Sequence, residues 1–272
     1  MVSDFFSTMR KLTYLLFACL PICAIAQAPV SSRLSSGMEV GASFKSNVLS
    51  PSATYYQLLN LTQNKMLSIG WTSTFRTFYA DNLDYTTAPA YLSRGGKTGF
   101  YALGAPLVPG NLDTLRMGSA SGTSLNFGAR IQLRFGPVEL GASADILGLT
   151  LGRTRVGQYL SQNGYFNVKA ASGKDSTAFF RKGANGVDNR VQSAKPTTAN
   201  LQLLGDNSLG TLATEVYAKV LINQRIGVKF GYQWVTTEYT TSVRNAGADN
   251  NNRFRNRTGG MPYVALAFPF FN

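Results

Sequence analysis

Two sets of residues in this chain have types suited to chemistry. One is a serine and a lysine, Ser143 and Lys229, whose pairing as nucleophile and base the sequence does not itself single out. The other is a scatter of charges on otherwise small and polar stretches: Glu39, Glu139, Asp145 and Glu215 against Lys45, Arg76, Arg130, Arg134, Lys219 and Lys229. The chain has no histidine in 272 residues, which removes a Ser-His-Asp triad, a Cys-His dyad and histidine metal sites. A Ser-Lys or paired-carboxylate device survives that filter, but nothing around Ser143 or Lys229 marks one. Gly95-Gly96 and Gly118-Ser119-Ala120-Ser121-Gly122 lack the Lys-Ser/Thr ending of a phosphate loop and read as flexible loop. Asp249-Asn250-Asn251-Asn252 has one carboxylate and reads as a turn, not a calcium site. The expectation is a chain that is not an enzyme, with no catalytic, cofactor or metal residues.

The elements that must position these charges have period two. From Leu67 to Tyr79 one face reads Leu67, Ile69, Trp71, Phe75, Tyr79 and the other Ser68, Gly70, Thr72, Thr74, Arg76. From Ser124 to Phe135, Leu125, Phe127, Ala129, Ile131, Leu133 and Phe135 alternate with Ser124, Asn126, Gly128, Arg130, Gln132 and Arg134. Successive strand side chains point to opposite faces, so each segment is a strand with one apolar and one polar side. The same reading applies to 38–45, 138–146, 215–222, 226–234 and 264–270. An eighth strand at 53–61 has an ambiguous phase. After Ile146 the apolar phase slips to Leu147, Leu149 and Leu151, which predicts a bulge near Gly148. Pro269 lacks a ladder donor and belongs at the frayed end of the last strand.

Connections are of two kinds. Residues 62–65, Gly136-Pro137 and Asn223-Gln224 are tight. The stretches 47–52, 81–122, 153–208 and 243–257 read as looser loops. Short and long connections alternate, which in an up-and-down barrel puts the short turns on one rim and the long loops on the other. That is the plan of an outer-membrane barrel. The polar faces hold Gly, Ser, Thr, Asn and Gln rather than the Lys and Glu of a solvated surface, and only 14% of residues are charged against roughly 25% in soluble domains. The expectation is an all-β, eight-stranded antiparallel up-and-down transmembrane β-barrel at 35–271, with long external loops. Its interior would be closed by Glu39, Arg76, Arg130, Arg134, Glu139, Asp145, Glu215, Lys219 and Lys229.

Residues 1–26 read as a secretory signal: Arg10 and Lys11, an apolar stretch from Leu12, and Ala24-Ile25-Ala26 before Gln27, with Met9 as an alternative start. Cleavage there would remove Cys19 and Cys23 and leave 27–34 as a short N-terminal segment. The chain carries a formal charge of +13, much of it in the long connections. Arg181, Lys182, Arg190, Arg253, Arg255 and Arg257 are candidates for polyanion contact at an external basic rim, where guanidinium forks suit lipopolysaccharide phosphates. Without an interleaved aromatic platform, nucleic acid is not an expected partner.

The final stretch, Gly259-Gly260-Met261-Pro262-Tyr263 to Phe270-Phe271-Asn272, resembles the C-terminal signal of outer-membrane barrels, departing from it in ending on Asn272. Asp145-Ile146-Leu147-Gly148-Leu149-Thr150-Leu151-Gly152, Asn251-Asn252-Arg253-Phe254-Arg255-Asn256 and Ala26-Gln27 resemble outer-membrane β-barrel proteins of Bacteroidetes-type bacteria, and the topology resembles the OmpA/OmpX-like small barrels. The resemblance implies fold, an integral outer-membrane location after export, contact with outer-membrane lipid and lipopolysaccharide, and recognition of the last strand by the barrel-assembly machinery. It carries over no catalytic residue. The function expected is a structural or surface-interaction role as a monomer. Two alternatives stand beside it. One is a narrow porin or channel, favoured if Thr98–Leu103 or the 153–208 stretch adds strands. The other is a soluble periplasmic lipocalin-like barrel, in which Arg76, Arg130 and Arg134 would be exposed and Leu125, Phe127 and Ile131 buried.

Overall fold

The computed structural model describes residues 33–160, 164–169, 175–183, 186–203 and 207–271; the signal segment, the two cysteines, Lys174 and Asn272 lie outside the described residues. Among the described residues there are thirteen strands: β1 (Leu34–Lys45), β2 (Val48–Asn60), β3 (Leu67–Thr87), β4 (Thr114–Phe135), β5 (Val138–Leu151), β6 (Arg155–Tyr159), β7 (Tyr165–Lys169), β8 (Asp175–Phe179), β9 (Val191–Pro196), β10 (Ala199–Leu201), β11 (Leu212–Leu221), β12 (Gly227–Asn245) and β13 (Asn251–Phe271).

Eight of them close a ring in chain order, each antiparallel to its neighbours: β1, β2, β3, β4, β5, β11, β12, β13 and back to β1. Closure pairs both edges of every ring strand. The alternation dictates which way each strand faces. On β4, Leu125, Phe127, Ile131, Leu133 and Phe135 point outward and are exposed, whereas Asn126, Arg130 and Gln132 are buried inside. Outward-facing Ile69, Trp71, Phe75, Tyr79, Val216, Phe230, Tyr232, Trp234, Val264 and Leu266 continue the apolar belt around the ring. This is the reverse of the lipocalin-like alternative, which the orientation of β3 and β4 overturns.

The strands run further than alternation alone indicates. Residues 48–52 belong to β2, joined to β1 by a two-residue turn. β3 continues to Thr87 and β4 begins at Thr114, so the connection between them is 88–113. β12 and β13 reach Asn245 and Asn251, leaving a short turn where Asp249 and Asn250 adopt φ of 50° and 53°. Phe100–Leu103 forms a single helical turn, not an added strand. Among its described residues, the long 153–208 connection holds five strands rather than one hidden strand. The β11–β12 connection is longer than the expected Asn223-Gln224 pair, running over 222–226, with Asn223 Oδ1 accepting from the N–H groups of Arg225 and Ile226. The ambiguous phase of 53–61 also resolves: Ser50, Ser52, Thr54, Tyr56, Leu58 and Asn60 all face inward, and the apolar Tyr56 and Leu58 among them blurred the pattern. The bulge expected near Gly148 falls at Ile146, since Phe127 pairs with Leu147 and Gly128 with Asp145. Pro269 pairs with Gly37 beside a register shift near the end of β13.

Above the β1–β2 turn a second, narrower ring closes. There β3 pairs with β13 (Thr87 with Phe254), β4 with β6 (Leu115 with Tyr159), β6 with β9, and β9 with β12 (Pro196 with Tyr239). With β3–β4 and β12–β13 this makes six strands. Its interior is apolar: Tyr85, Leu115, Met117, Tyr159, Val235, Tyr239 and Phe254 form one buried cluster. The β7–β8 hairpin delivers Phe166 and Phe180 into it, with Phe180 stacked on Tyr159 at 4.1 Å between ring centroids. Two backbone devices turn the faces over between the rings. On β3, Asn82 sits at φ 51°; inward residues are even up to Ala80 and odd from Tyr85. On β13, an extra residue around Gly259, at φ 66°, shifts the register between Trp234 and Thr236. Glycine tolerates that left-handed backbone without strain, and a one-residue insertion sends every later side chain to the opposite face.

Candidate functional site

The lower lumen is filled by the charges that alternation put on one face. Glu39, on β1, sits at the centre. Both its carboxylate oxygens accept from Arg130 Nη2, at 2.8 and 2.7 Å, and Lys229 Nζ donates to it at 2.7 Å. Lys229 also donates to Glu215 Oε1 at 2.6 Å. Lys219 Nζ lies 2.5 Å from Glu139 Oε2 and 3.9 Å from Glu39. Arg76 Nη1 donates to Gln233 Oε1 at 2.5 Å, an oxygen that also accepts from Ser43 at 2.8 Å. Asp145 accepts from Asn126 and from the N–H of Ala213, both at 2.9 Å. The four buried acids of this lumen, Glu39, Glu139, Asp145 and Glu215, face four buried bases, Arg76, Arg130, Lys219 and Lys229. An unpaired buried charge would be costly, and pairing with further hydrogen bonds offsets part of that cost.

Aromatic rings complete the packing. The Arg130 guanidinium lies 4.6 Å from the centroids of both Tyr56 and Tyr217, and Lys229 Nζ lies 4.1 Å from Tyr217. These faces stabilise the cations where, among the described residues, no further acceptor reaches Arg130 Nε and Nη1. Tyr56 and Tyr217 lie flat against the wall over Gly37 and Gly141, where an added Cβ would fall 2.5 and 2.3 Å from their hydroxyls. Tyr217 was legible from its place between Glu215 and Lys219; Tyr56 was not, because its strand carried no clear phase.

Two charged residues of the polar faces stand apart. Arg134, at the short-turn rim, is 27% exposed and 3.8 Å from Glu139. Lys45 is exposed at the end of β1, donating to the carbonyl of Thr258 at 3.2 Å. Ser143 and Lys229 do not face each other as nucleophile and base. Both donate to Glu215 Oε1, Ser143 at 2.9 Å, and Lys229 is held in two ion pairs. Among the described residues no group of three or more His, Cys, Asp or Glu side chains is placed to hold a metal ion.

The six candidate rim cations do not form one surface. Arg253 and Arg255 are on β13, not in a loop. Both are engaged with Glu238, Arg253 Nε at 2.8 Å and Arg255 Nη2 at 3.4 Å. Glu238 escaped sequence reading because β12 was expected to end at Trp234. Arg190 makes two hydrogen bonds to Asp188, at 2.8 and 2.7 Å, which hold that carboxyl down at about 2. Arg181 lies over the Phe179 ring at 4.7 Å, and Lys182 is exposed beside it. Arg257 is exposed on β13, bordering a 270 Å³ cleft with Asp84 and Leu107.

No family model matches the chain, and no curated protein matches it. Among solved structures it is similar to Neisserial surface protein A (9% identity, 86% of this chain and 94% of that one, TM-score 0.34). It is similar to the Yersinia pestis outer membrane protein Ail (9%, 87% and 99%, TM-score 0.31). A major outer membrane protein of Thermus thermophilus is also similar (11%, 87% and 99%, TM-score 0.36).

Proposed function

We propose that this chain is an integral outer-membrane barrel with a closed lumen, whose role is structural or one of surface interaction. The observation that carries this reading is the reversal of side-chain polarity along single strands. In the eight-stranded ring β3 turns Ile69, Trp71, Phe75 and Tyr79 outward and Arg76 inward. In the six-stranded ring the same strand turns Tyr85 inward and Asp84 outward, where Asp84 meets Arg116 at 2.7 Å on an exposed surface. An apolar exterior is stable against hydrocarbon and a polar one against water, so the change of sign marks a bilayer boundary. The stretch from Ile69 to Tyr79 has the length that crosses a bilayer as a strand tilted by about 45°, and only a closed barrel or a helix satisfies its backbone there.

Closure is supported at two levels: the ion-paired lower lumen and the aromatic core of the upper ring. Eight strands leave space that side chains just fill. The reading includes an OmpA/OmpX-like type, supported by the eight ring strands following chain order, with Bacteroidetes-type origin resting on the motifs at 145–152 and 251–256. It also includes outer-membrane lipid and lipopolysaccharide as partners, assembly through the C-terminal strand, a monomeric state and no catalysis. Planar-bilayer recording of the purified protein, with a heat-modifiable gel shift as the folding control, tests it. Folded protein without stable open events is the expected result; large, long-lived openings would overturn the closed-barrel reading.

A further inference from the structure

The short-turn mouth of the barrel is a 770 Å³ concavity whose lining includes Lys65, Arg134, Arg225, Pro269 and Phe270. Its three cations come from three different hairpins: Lys65 from the β2–β3 turn, Arg134 from the end of β4 and Arg225 from the β11–β12 turn. Among the described residues, no Asp or Glu lines it. Glu139 lies deeper in the lumen, 2.5 Å from Lys219 and 3.8 Å from Arg134, whose Nε also donates to the Gly136 carbonyl at 3.3 Å. Charges of one sign on low-dielectric concave walls focus the field and concentrate counter-ions. The ion-paired lumen above makes the concavity a dead end, so an anion drawn in is held at the mouth.

We propose that this mouth is an anion-binding vestibule for a phosphate-bearing ligand. Guanidinium groups take phosphate oxygens in pairs and lysine contributes a point charge, so Arg134, Arg225 and Lys65 together suit a multiply charged phosphate better than a single carboxylate. The shared chemistry has two sources, a soluble phosphorylated molecule or the headgroup of an anionic phospholipid at the rim, where Leu61, Ile222 and Phe270 are exposed. The inference rests on the closed-barrel reading only in that the lumen is blocked above the vestibule.

The test uses the folded full-length barrel in phosphatidylcholine nanodiscs. One arm titrates inorganic pyrophosphate calorimetrically; the other measures retention of phosphatidylglycerol by native mass spectrometry. K65Q and R225Q are the variants, because both turns lie outside the ion-paired network and leave Arg134 with Glu139. Binding in either arm that weakens about tenfold for each cation removed, and weakens with added salt, supports the vestibule and names its source. Absence of binding in both arms, or binding unchanged in the K65Q/R225Q double variant, overturns it. Pyrophosphate flux through liposomes bearing the barrel would sink the closed-barrel reading and leave the binding result standing, so the two failures are distinguishable.

Discussion

Arg130 Nη2 reaches both carboxylate oxygens of Glu39, across the lumen from β4 to β1, while Tyr56 and Tyr217 flank its guanidinium at 4.6 Å each. Both side chains of the pair are fully buried. Removing Arg130 leaves the Glu39 carboxylate with Lys229 at 2.7 Å and Lys219 at 3.9 Å, and breaking a buried pair costs about 3–5 kcal/mol. R130M is expected to lose that much in a urea titration of the folded barrel. The double variant E39Q/R130M is expected to recover part of it, because the carboxylate that lost its guanidinium is removed as well. A double-variant loss equal to the sum of the R130M and E39Q losses would show that Glu39 and Arg130 are not energetically coupled.

Ile131 is 49% exposed on the outer belt, one residue from Gln132, which is 6% exposed inside and accepts from the Tyr217 hydroxyl at 3.0 Å. I131R is expected to cost about 2–4 kcal/mol in lipid, as a charge near the midplane does. Q132S forfeits one hydrogen bond, on the order of 1 kcal/mol. Refolding titrations in lipid vesicles measure both, and a Q132S loss equal to that of I131R would reverse the assigned faces.

The upper ring depends on aromatic packing delivered from outside it. Phe180 is fully buried against Tyr159 and Phe166. F180A leaves a cavity worth about 3–5 kcal/mol locally and is expected to release the β7–β8 hairpin. Limited proteolysis should then cut within 164–183 while amide exchange in the eight-stranded ring stays slow. Loss of protection throughout both rings would show them to be one cooperative unit.

Asp188 in the loop region is held by Arg190 at about 2, below its ordinary 3.8. A depressed acid contributes order that is present above the ordinary value and is lost as the pH falls through the lowered one. Carboxyl NMR of the folded protein is expected to show Asp188 titrating at about 2, and R190Q to return it toward 3.8. An unchanged midpoint in R190Q would assign the depression elsewhere.

Period-two alternation by itself determined seven of the eight strands of the lower ring and the face each charge occupies; the phase of β2 stayed open. Local rules suffice there, because Arg76, Arg130, Glu139 and Lys229 each fall on a polar face set by their own neighbours. The Gly136-Pro137 turn was legible because Gly136 supplies the positive φ that a two-residue hairpin requires, whereas the two-residue β1–β2 turn reads in sequence as a looser loop. The upper ring was not legible. Its strands pair across long chain separations, Thr87 with Phe254 and Leu115 with Tyr159, and its polarity is the reverse of that below. A single residue at Asn82 or Gly259 flips the phase, so alternation read through those points cancels and looks like loop. The partners of Arg253 and Arg255 were hidden likewise, since Glu238 meets them only once β12 and β13 extend beyond the belt. Which acid pairs with which base in the lumen was decided by closure alone: Glu39 and Arg130 lie 91 residues apart, and only the ring brings β1 opposite β4.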